Sequence, residues 1–405
     1  MNQKKLLIVK ECYENYSSLC KLKGMNSQKK ILVPYFLAGG GHIIAAQAIA
    51  HYLNLKKPEW DIRFLEAADE FKDKKLDKFF RKSWQILLRK PILAKFIYAV
   101  FANNFTSATV AANNMVIKGA IPKAIGYLLG YKPDLIITTH FGCGHIFNAA
   151  RKELGYDIPL LYARNDLGGA FRIQDCDADI LFVTSNDAKN DFLRIGVQKE
   201  KLRNVNFLVR PQFIENQLTK MEARKKLDIP KDAYTILFTF GGEGLGFGSV
   251  MEFVDVFLQI IKQKNLKARV LIVTGRNEEL LANLKIKYKI PDVIPLGYRS
   301  DMHVLTAASD LVGGKFGAIY SMETLTMRKP FIGTLLGAPN EYYNKEFVVN
   351  NGYGWYAPTP HDFCAVLENI FSNKSILEET SDKLSKLPLK NGAEVIADTI
   401  IHMLC

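Results

Sequence analysis

Short hydrophobic runs alternate with helical patterns of apolar residues along most of this chain. In the first half the runs predict five strands: Lys30–Phe36, Asp61–Leu65, Asp134–Thr139, Pro159–Arg164 and Ile180–Thr184. The second half predicts five more: Ile236–Phe240, Ala268–Thr274, Val293–Pro295, Leu311–Gly314 and Pro330–Thr334. Strands that alternate with helices in this way indicate parallel sheets joined by right-handed crossovers.

The pattern is interrupted by a polar stretch after Val209–Pro211 and then restarts, which predicts two Rossmann-like α/β domains facing a cleft. We expect an N-terminal extension over residues 1–28, a first domain over 29–208 and a second domain over 209–380. The C-terminal helices of residues 381–405 are expected to pack back on the first domain. A chain of 405 residues also exceeds what a single core commonly supports.

Each half contains a glycine-rich turn between its first predicted strand and the following helix. The turns are Gly39–His42 and Gly241–Gly246. Glycine permits a close approach to a ligand, and the helix start that follows offers free N–H groups and a positive dipole end. One such turn is weak evidence, whereas two that face each other are suited to gripping a diphosphate.

The composition is that of an ordinary soluble globular protein, with 48% hydrophobic and 23% charged residues. No apolar run reaches the roughly 18 residues that span a bilayer, and the first one is interrupted at Lys10, too early for a signal peptide. Six cysteines occur without a C-x-x-C pair, which argues against a zinc site or a disulfide framework. We therefore expect a cytoplasmic protein.

The net charge of +13 favours an anionic partner, or else reflects lysines that only solvate the surface. Segment Lys72–Lys95 carries nine basic and two acidic residues, interleaved with aromatic and aliphatic positions. A basic amphipathic helix of this kind favours an anionic membrane surface. The candidate membrane-binding residues are Lys74, Lys78, Arg81, Lys82 and Trp84. The alternatives are a helix that packs on its own domain and a nucleic-acid contact, which no nucleic-acid motif supports.

Polar motifs follow several strands of the second half. In an open parallel sheet the carboxyl ends of the strands form the ligand crevice. Arg276 and Lys315 are therefore expected near phosphates, and Glu323 is expected to accept two hydroxyls of a ribose or hexose. The stretch from Gly337 to Asn344 is rich in groups that bond sugar hydroxyls.

This series of motifs resembles the nucleotide-sugar glycosyltransferase family of monogalactosyldiacylglycerol synthases and diacylglycerol glucosyltransferases. The peptidoglycan N-acetylglucosaminyltransferase is similar at a greater distance. The matching motifs, in order, are Gly39–His42 with Ala45 and Ala46, Lys132–His140, Asn165–Leu167, Gly241–Gly246, Gly275–Asn277, Lys315–Glu323, Glu341 with Asn344, and Val348–Gly352.

The resemblance implies a two-domain fold of the glycosyltransferase B type, with the sugar donor on the second domain and the lipid acceptor on the first. It also implies a reaction that inverts the anomeric carbon without a bound metal. The implied donor-binding residues are Gly242, Glu243, Gly244, Gly246, Gly275, Arg276, Asn277, Tyr298, Lys315, Gly317, Ser321, Glu323, Glu341 and Asn344. The implied acceptor-binding residues are Gly40, Gly41 and His140.

His42 is the candidate catalytic base, because an imidazole with a pKa near 6.5 takes a proton from an acceptor hydroxyl. The matching histidine of the resembled enzymes is implicated in catalysis. Asp166, which follows a predicted strand, is either a rival base or the group that orients the histidine. A histidine that only caps or packs at a helix start is the simpler alternative.

The resemblance, together with the basic segment, predicts an inverting hexosyltransferase that moves a hexose from a UDP-sugar to a diacylglycerol-type lipid at the cytoplasmic face of a membrane. The expected partners are the UDP-hexose, the lipid acceptor and the anionic membrane surface, with no nucleic acid, no further cofactor and no metal. The alternatives are an enzyme similar to UDP-N-acetylglucosamine 2-epimerase and a relative that binds nucleotide sugar or lipid without catalysis.

Overall fold

The computed structural model describes residues 28–37, 40–82, 115–169, 175–215, 218–239, 241–242, 250–337, 340–373, 375–388 and 390–405. Within these ranges the chain forms two six-stranded sheets with helices between successive strands. The fold class predicted from the alternating pattern, two Rossmann-like domains, is confirmed. We call the sheet that forms first along the chain, with its helices, the first domain, and the other sheet with its helices the second domain.

The first sheet has the strand order β2-β1-β3-β4-β5-β6, and all neighbouring strands are parallel. Its strands are β1 (Lys30–Tyr35), β2 (Asp61–Glu66), β3 (Leu135–Thr138), β4 (Leu160–Ala163), β5 (Ile180–Val183) and β6 (Leu202–Asn204). Strands β3 and β4 are buried at every position because helices cover both faces of the sheet. The chain changes direction between β1 and β3, and such a switch point opens a crevice at the carboxyl ends of the strands.

The second sheet has the order β12-β11-β10-β7-β8-β9 and is also parallel throughout. Its strands are β7 (Tyr234–Thr239), β8 (Ala268–Val273), β9 (Val293–Leu296), β10 (Leu311–Lys315), β11 (Phe331–Leu335) and β12 (Gly354–Tyr356). Its switch point lies between β7 and β10, directly after which come the second glycine turn and the Lys315 motif.

Helices of the first domain follow its strands. They are α1 (Gly41–Lys56), α2 (Ala67–Glu70), α3 (Lys74–Leu76), a π-helix (Asp77–Lys82), α4 (Ile121–Tyr131), α5 (Phe141–Leu154) and α6 (Asn186–Arg194). The remaining helices are α7 (Lys220–Lys226), α8 (Val250–Gln263), α9 (Glu278–Lys287), α10 (Met302–Ala308), α11 (Ala318–Thr326), α12 (Glu341–Asn350), α13 (Pro360–Ser372), α14 (Ser375–Ser385) and α15 (Gly392–Leu404).

All ten strands predicted from hydrophobic runs are present, and their ends agree within two residues. The sequence prediction missed β6 and β12, which are three residues long and lie at sheet edges. An edge strand pairs on one side only, so three residues without a continuous apolar run carry too little pattern to be recognised.

The last helix of the chain, α15, packs against α1 of the first domain. Ile396 and Ile400 are fully buried in the same apolar cluster as the alanine-rich face of α1. At the edge of this contact the ammonium of Lys56 lies 2.9 Å from Oε1 of Glu394 and also pairs with Asp398. The chain therefore returns to the first domain after completing the second.

The chain crosses between the domains twice, and the two crossings are hydrogen bonded to each other. The Asn391 side chain donates to the carbonyl of Val209 at 2.7 Å, and the Gly392 amide donates to the carbonyl of Phe207 at 2.9 Å. Asn206 donates to the carbonyl of Lys390 at 2.7 Å. The connection between the domains is thus a paired segment rather than a single linker.

We predict that Ile396→Ala lowers the free energy of unfolding by about 2–4 kcal/mol, because it leaves a cavity in the contact between α15 and α1. Urea unfolding followed by circular dichroism measures the change. Met403→Ala, on the same helix at a position 38% exposed, is the matched control and should stay within about 0.5 kcal/mol of the parent. Equal midpoints for Ile396→Ala and the parent would contradict the prediction.

Candidate functional site

His42 lies at the switch point of the first sheet, in the first turn of α1. Its Nδ1 is 2.7 Å from the carbonyl oxygen of Thr139, and the Thr139 hydroxyl donates to the carbonyl of His42 at 2.8 Å. A carbonyl only accepts, so Nδ1 carries the hydrogen and Nε2 keeps its lone pair. In the described part of the chain Nε2 has no hydrogen-bond partner, which leaves it available to accept a proton.

Two opposing effects act on His42. Burial lowers the pKa of the imidazole, while the negative charge of Asp166 and the Thr139 carbonyl raise it without cancelling the effect of burial. The ring is therefore neutral near neutral pH, which is the protonation state of a general base.

His140 stands edge-on to His42, with ring centroids 4.6 Å apart. It is 3% exposed, and its Nδ1 accepts the Gly142 amide at the start of α5 at 3.1 Å. Burial lowers the pKa of His140 well below its ordinary value, so this ring is also neutral. In this structure His140 caps α5, and its predicted contact with the acceptor remains a prediction.

Asp166 belongs to a loop after β4 that reaches both α1 and the second domain. The neighbouring Asn165 side chain donates to the carbonyl of Gly41 at 3.2 Å, which ties this loop to the first glycine turn. The carboxylate of Asp166 accepts a hydrogen bond from the Asn340 side chain at 2.7 Å, and the Arg164 guanidinium lies 3.9 Å away. The structure thus brings His42, Asp166 and Gly41 together at one edge of the cleft.

Two loops of the second domain meet closely at its switch point. Gly275 has a φ of +62°, and a Cβ there would lie 2.4 Å from the carbonyl oxygen of Gly242, so only glycine fits. The Arg276 amide donates to the same carbonyl at 2.9 Å. The Arg276 guanidinium lies 5.3 Å from the ring centroid of Tyr298, and Asn277 caps α9.

Lys315 ends β10 and pairs with Glu341 at the start of α12, with Nζ and Oε1 2.7 Å apart. The other carboxylate oxygen of Glu341 accepts the Gly337 amide at 2.7 Å. Gly317 precedes α11, and its carbonyl accepts the buried hydroxyl of Ser321 at 2.6 Å. These predicted donor residues therefore form one connected edge of the second sheet.

Glu323 is fully buried and forms an ion pair with Arg210, a residue of the crossing between the domains. Arg210 Nε and Nη2 each lie 2.7 Å from a carboxylate oxygen, and the Arg210 amide adds a bond of 3.1 Å. The sequence prediction of a contact between Glu323 and sugar hydroxyls remains a prediction. In this structure both carboxylate oxygens of Glu323 accept hydrogen bonds from the Arg210 guanidinium.

Asn344 is fully buried between the two domains. Its side-chain nitrogen donates to the carbonyl of Phe316 at 3.0 Å, and its oxygen accepts the Leu167 amide at 3.4 Å. The residue predicted to bind the donor thus also bridges the donor edge and the Asp166 loop.

The basic segment predicted to bind membranes is described only up to Lys82. Leu76 and Phe80 pack in the core of the first domain, whereas Lys74, Lys78 and Lys82 are exposed. Arg81 lies 3.4 Å from a carboxylate oxygen of Asp69 and also pairs with Asp77. Its charge is therefore partly neutralised within the domain. Trp84 and the donor candidates Glu243, Gly244 and Gly246 lie outside the described residues.

Four residues that shape this site were not among the predicted site residues: Thr139, Arg164, Arg210 and Asn340. Asn340 lies within the polar stretch from Gly337 to Asn344, and its position shortly after β11 could have marked it as a site residue. The partners of Arg210 and Asn340 lie 113 and 174 positions away, and no local pattern reports contacts of that separation.

No described helix is both long enough and apolar enough to cross a membrane. Within the described ranges no three histidine, cysteine, aspartate or glutamate side chains cluster so as to hold a metal ion.

Comparison with known proteins confirms the resemblance inferred from the motifs. Residues 236–399 match the Glycosyltransferase family 28 C-terminal domain. The chain is 24% identical to the processive diacylglycerol beta-glucosyltransferase of Staphylococcus haemolyticus over 391 residues, which cover 94% of each chain. It is 25% identical to monogalactosyldiacylglycerol synthase 2 of Arabidopsis thaliana over 388 residues, covering 92% of this chain and 81% of the synthase.

Solved structures share the fold at lower sequence identity. MurG of Acinetobacter baumannii has a TM-score of 0.62 at 15% identity, covering 93% of this chain and 100% of that chain. The UDP-GlcNAc 2-epimerase of Neisseria meningitidis, bound to UDP-GlcNAc, has a TM-score of 0.59 at 13% identity, covering 92% and 100%. The fold is therefore of the glycosyltransferase B type, as the resemblance predicted.

We predict that Arg210→Met lowers the free energy of unfolding by about 3–5 kcal/mol, because it leaves the Glu323 carboxylate buried without its cation. The double variant Arg210→Met with Glu323→Gln should be less destabilised than the sum of the two single variants. Chemical denaturation measures each term.

The control for this cycle is Arg299→Met, which removes a half-exposed pair with Asp301 and should cost at most about 1 kcal/mol. Strictly additive costs for Arg210→Met and Glu323→Gln would show that the two side chains do not depend on each other.

Proposed function

We propose that this chain, which matches the glycosyltransferase family 28 C-terminal domain and has the glycosyltransferase B fold, is a UDP-sugar-dependent hexosyltransferase of glycolipid synthesis. Its acceptor is a diacylglycerol-type membrane lipid. The proposal is supported by relatives that are named diacylglycerol glucosyltransferase and monogalactosyldiacylglycerol synthase and that align with most of the chain.

One observation carries the proposal: at the switch point of the first sheet, beside Asp166, His42 presents a neutral imidazole whose Nε2 has no hydrogen-bond partner among the described residues. This nitrogen is suited to accept the proton of a lipid hydroxyl. Asp166 then stabilises the imidazolium that forms, as a fixed carboxylate does beside a charged ring.

The reaction is a single displacement. The acceptor oxygen forms a bond to C1 of the hexose while the bond from C1 to the UDP oxygen breaks, and its electron pair leaves with UDP. The hydroxyl proton goes to Nε2 of His42, and the configuration at C1 inverts. The start of α11 and the side chains of Arg276 and Lys315 supply the positive potential that a leaving diphosphate needs, in place of a divalent ion.

The donor is proposed to bind along the switch point of the second sheet. There Gly242, Gly275 and Gly317 would let the backbone approach the ligand closely, and Lys315 is paired with Glu341. The exposed ring of Tyr298 and the carboxylate of Glu323 are proposed to contact the nucleoside or sugar.

The membrane surface is the proposed source of the acceptor. Lys74, Lys78 and Lys82 project from one short helical segment of the first domain and are exposed. A cluster of lysines attracts anionic lipid headgroups, which would hold the protein at the cytoplasmic face of a membrane.

An enzyme similar to UDP-N-acetylglucosamine 2-epimerase is the alternative, because solved epimerases share the fold. The basic segment and the Gly39–His42 turn favour the transferase, since an epimerase needs no membrane. The deciding experiment incubates the protein with a panel of radiolabelled UDP-sugars and diacylglycerol vesicles. Label in the organic phase supports the transferase. Conversion of UDP-GlcNAc to its 2-epimer supports the epimerase, and UDP-sugar binding without either product indicates a non-catalytic relative.

We predict that His42→Ala lowers kcat by about 10²–10⁴, the usual effect of removing a general base. Binding of UDP, measured by calorimetry, should be unchanged because its proposed contacts lie on the second domain. Asp166→Asn is the counter-test: a loss of that size there, with His42→Ala largely active, would make the aspartate the base.

The pH profile provides a second readout for the base. His42 acts only when neutral, so activity falls as pH decreases through its pKa. Because burial lowers that pKa, the acidic limb of kcat/KM should lie below 6.5, the ordinary value for histidine. An acidic limb above that value would argue against a buried His42 as the base.

We predict that reversing the charge of Lys74, Lys78 and Lys82 to glutamate weakens binding to anionic vesicles at least about 10²-fold, since the loss of each lysine near the surface costs about 1 kcal/mol and the added carboxylates are repelled. Flotation with vesicles measures binding, and binding of the parent should decrease with salt. Reversal of Lys262, Lys264 and Lys285, which are exposed on the second domain, is the matched control. Equal losses in both variants would mean that only net charge matters.

A further inference from the structure

Asn340, at the start of α12 in the second domain, contacts the predicted catalytic loop of the first. Its side-chain nitrogen lies 2.7 Å from Oδ1 of Asp166, and both side chains are half-buried. An amide donor at this distance fixes the rotamer of a carboxylate. The orientation of Asp166 therefore depends on a residue from the other side of the cleft.

The following turn of α12 contacts the same loop at two more points. The Leu167 backbone amide donates to the side-chain oxygen of Asn344. The side-chain nitrogen of Asn344 donates to the carbonyl of Phe316, which is next to Lys315. The ring of Tyr343 covers the end of the loop: a Cβ at Gly169 would lie 2.2 Å from this ring, and Gly169 has a φ of +71°. Helix α12 is thus fastened to the donor edge and to the Asp166 loop together.

Asp166 has two charged or titratable neighbours in addition to the neutral side-chain amide of Asn340. On its own loop, Arg164 lies 3.9 Å from Oδ2 and donates to the carbonyl of Gly168 at 2.7 Å. On α1, the pKa of His42 is raised by the negative charge of Asp166, although burial lowers it more. Arg164 thus lies nearest to Oδ2 of Asp166, whereas Asn340 of the second domain donates to Oδ1.

We propose that Asn340 is a positioning residue for the transfer reaction, which holds Asp166 in the orientation that supports His42. The inference rests on the proposed function. It means that the acid–base pair is complete only while α12 of the second domain is docked on the first. Transfer is then coupled to closure of the cleft around the donor.

The test compares Asn340→Ala and Asn340→Asp with the control Asn350→Asp, which makes the same charge change at an exposed position at the end of α12. Asn340→Ala removes the amide that donates to Asp166. It should lower kcat about tenfold, as misplacement of a group at the reaction centre does, with the KM for the UDP-sugar within twofold of the parent. Asn340→Asp should lose more at pH 8, because two carboxylates then face each other.

The pH dependence separates positioning from a general structural role. As the pH falls, the two carboxylates of Asn340→Asp share one proton and regain a hydrogen bond. The activity of Asn340→Asp relative to Asn340→Ala should therefore rise at low pH. A ratio that does not change with pH, a loss no larger than that of Asn350→Asp, or a rise in KM that accounts for the whole loss would overturn the proposal.

Hydrogen exchange distinguishes this outcome from failure of the proposed function. If the parent transfers no sugar to any lipid, the proposed function fails, and exchange of the Leu167 amide decides the inference. Faster exchange in Asn340→Ala than in Asn350→Asp supports a loop held by Asn340, because a released loop exposes this amide. Identical exchange in both variants would overturn it.

Discussion

The hydrogen bond between Nδ1 of His42 and the carbonyl of Thr139 is the interaction on which the candidate site depends. It exists because β1 and β3 are neighbours at the switch point of the first sheet, so their loops meet. The bond sets the tautomer and fixes the orientation of the imidazole ring. Without it, the charge of Asp166 would face a ring free to rotate, and no proton acceptor would have a defined direction.

The second domain holds the loop that carries Asp166, which the bond between His42 and Thr139 does not reach. Its helix α12 reaches the Asp166 loop through Asn340 and Asn344, while Arg210 joins the crossing between the domains to Glu323 of α11. These polar contacts are buried or half-buried, so each has a real energetic consequence when one partner is lost. The geometry of the candidate site and the arrangement of the two domains are therefore held by the same side chains.

The sequence pattern predicts the parts of this protein that depend on neighbouring residues. Central strands are continuous apolar runs because both faces are buried, and loops such as the one with His42 follow from where those runs end. The ion pair of Arg210 with Glu323 and the contact of Asn340 with Asp166 join residues over 100 positions apart. Their existence depends on how two finished domains meet, which no local periodicity encodes.

The return of α15 to α1 has a consequence for how the protein is made. The apolar face of α1 emerges early during synthesis, yet the residues of α15 that cover it follow the whole of the second sheet along the chain. Until α15 has been synthesised, that face stays open and depends on chaperones or transient contacts for protection from aggregation. The second domain completes its sheet earlier than the first completes its core. A ribosome-bound chain that has not yet reached α15 is thus expected to hold a folded second domain beside an unfinished first domain.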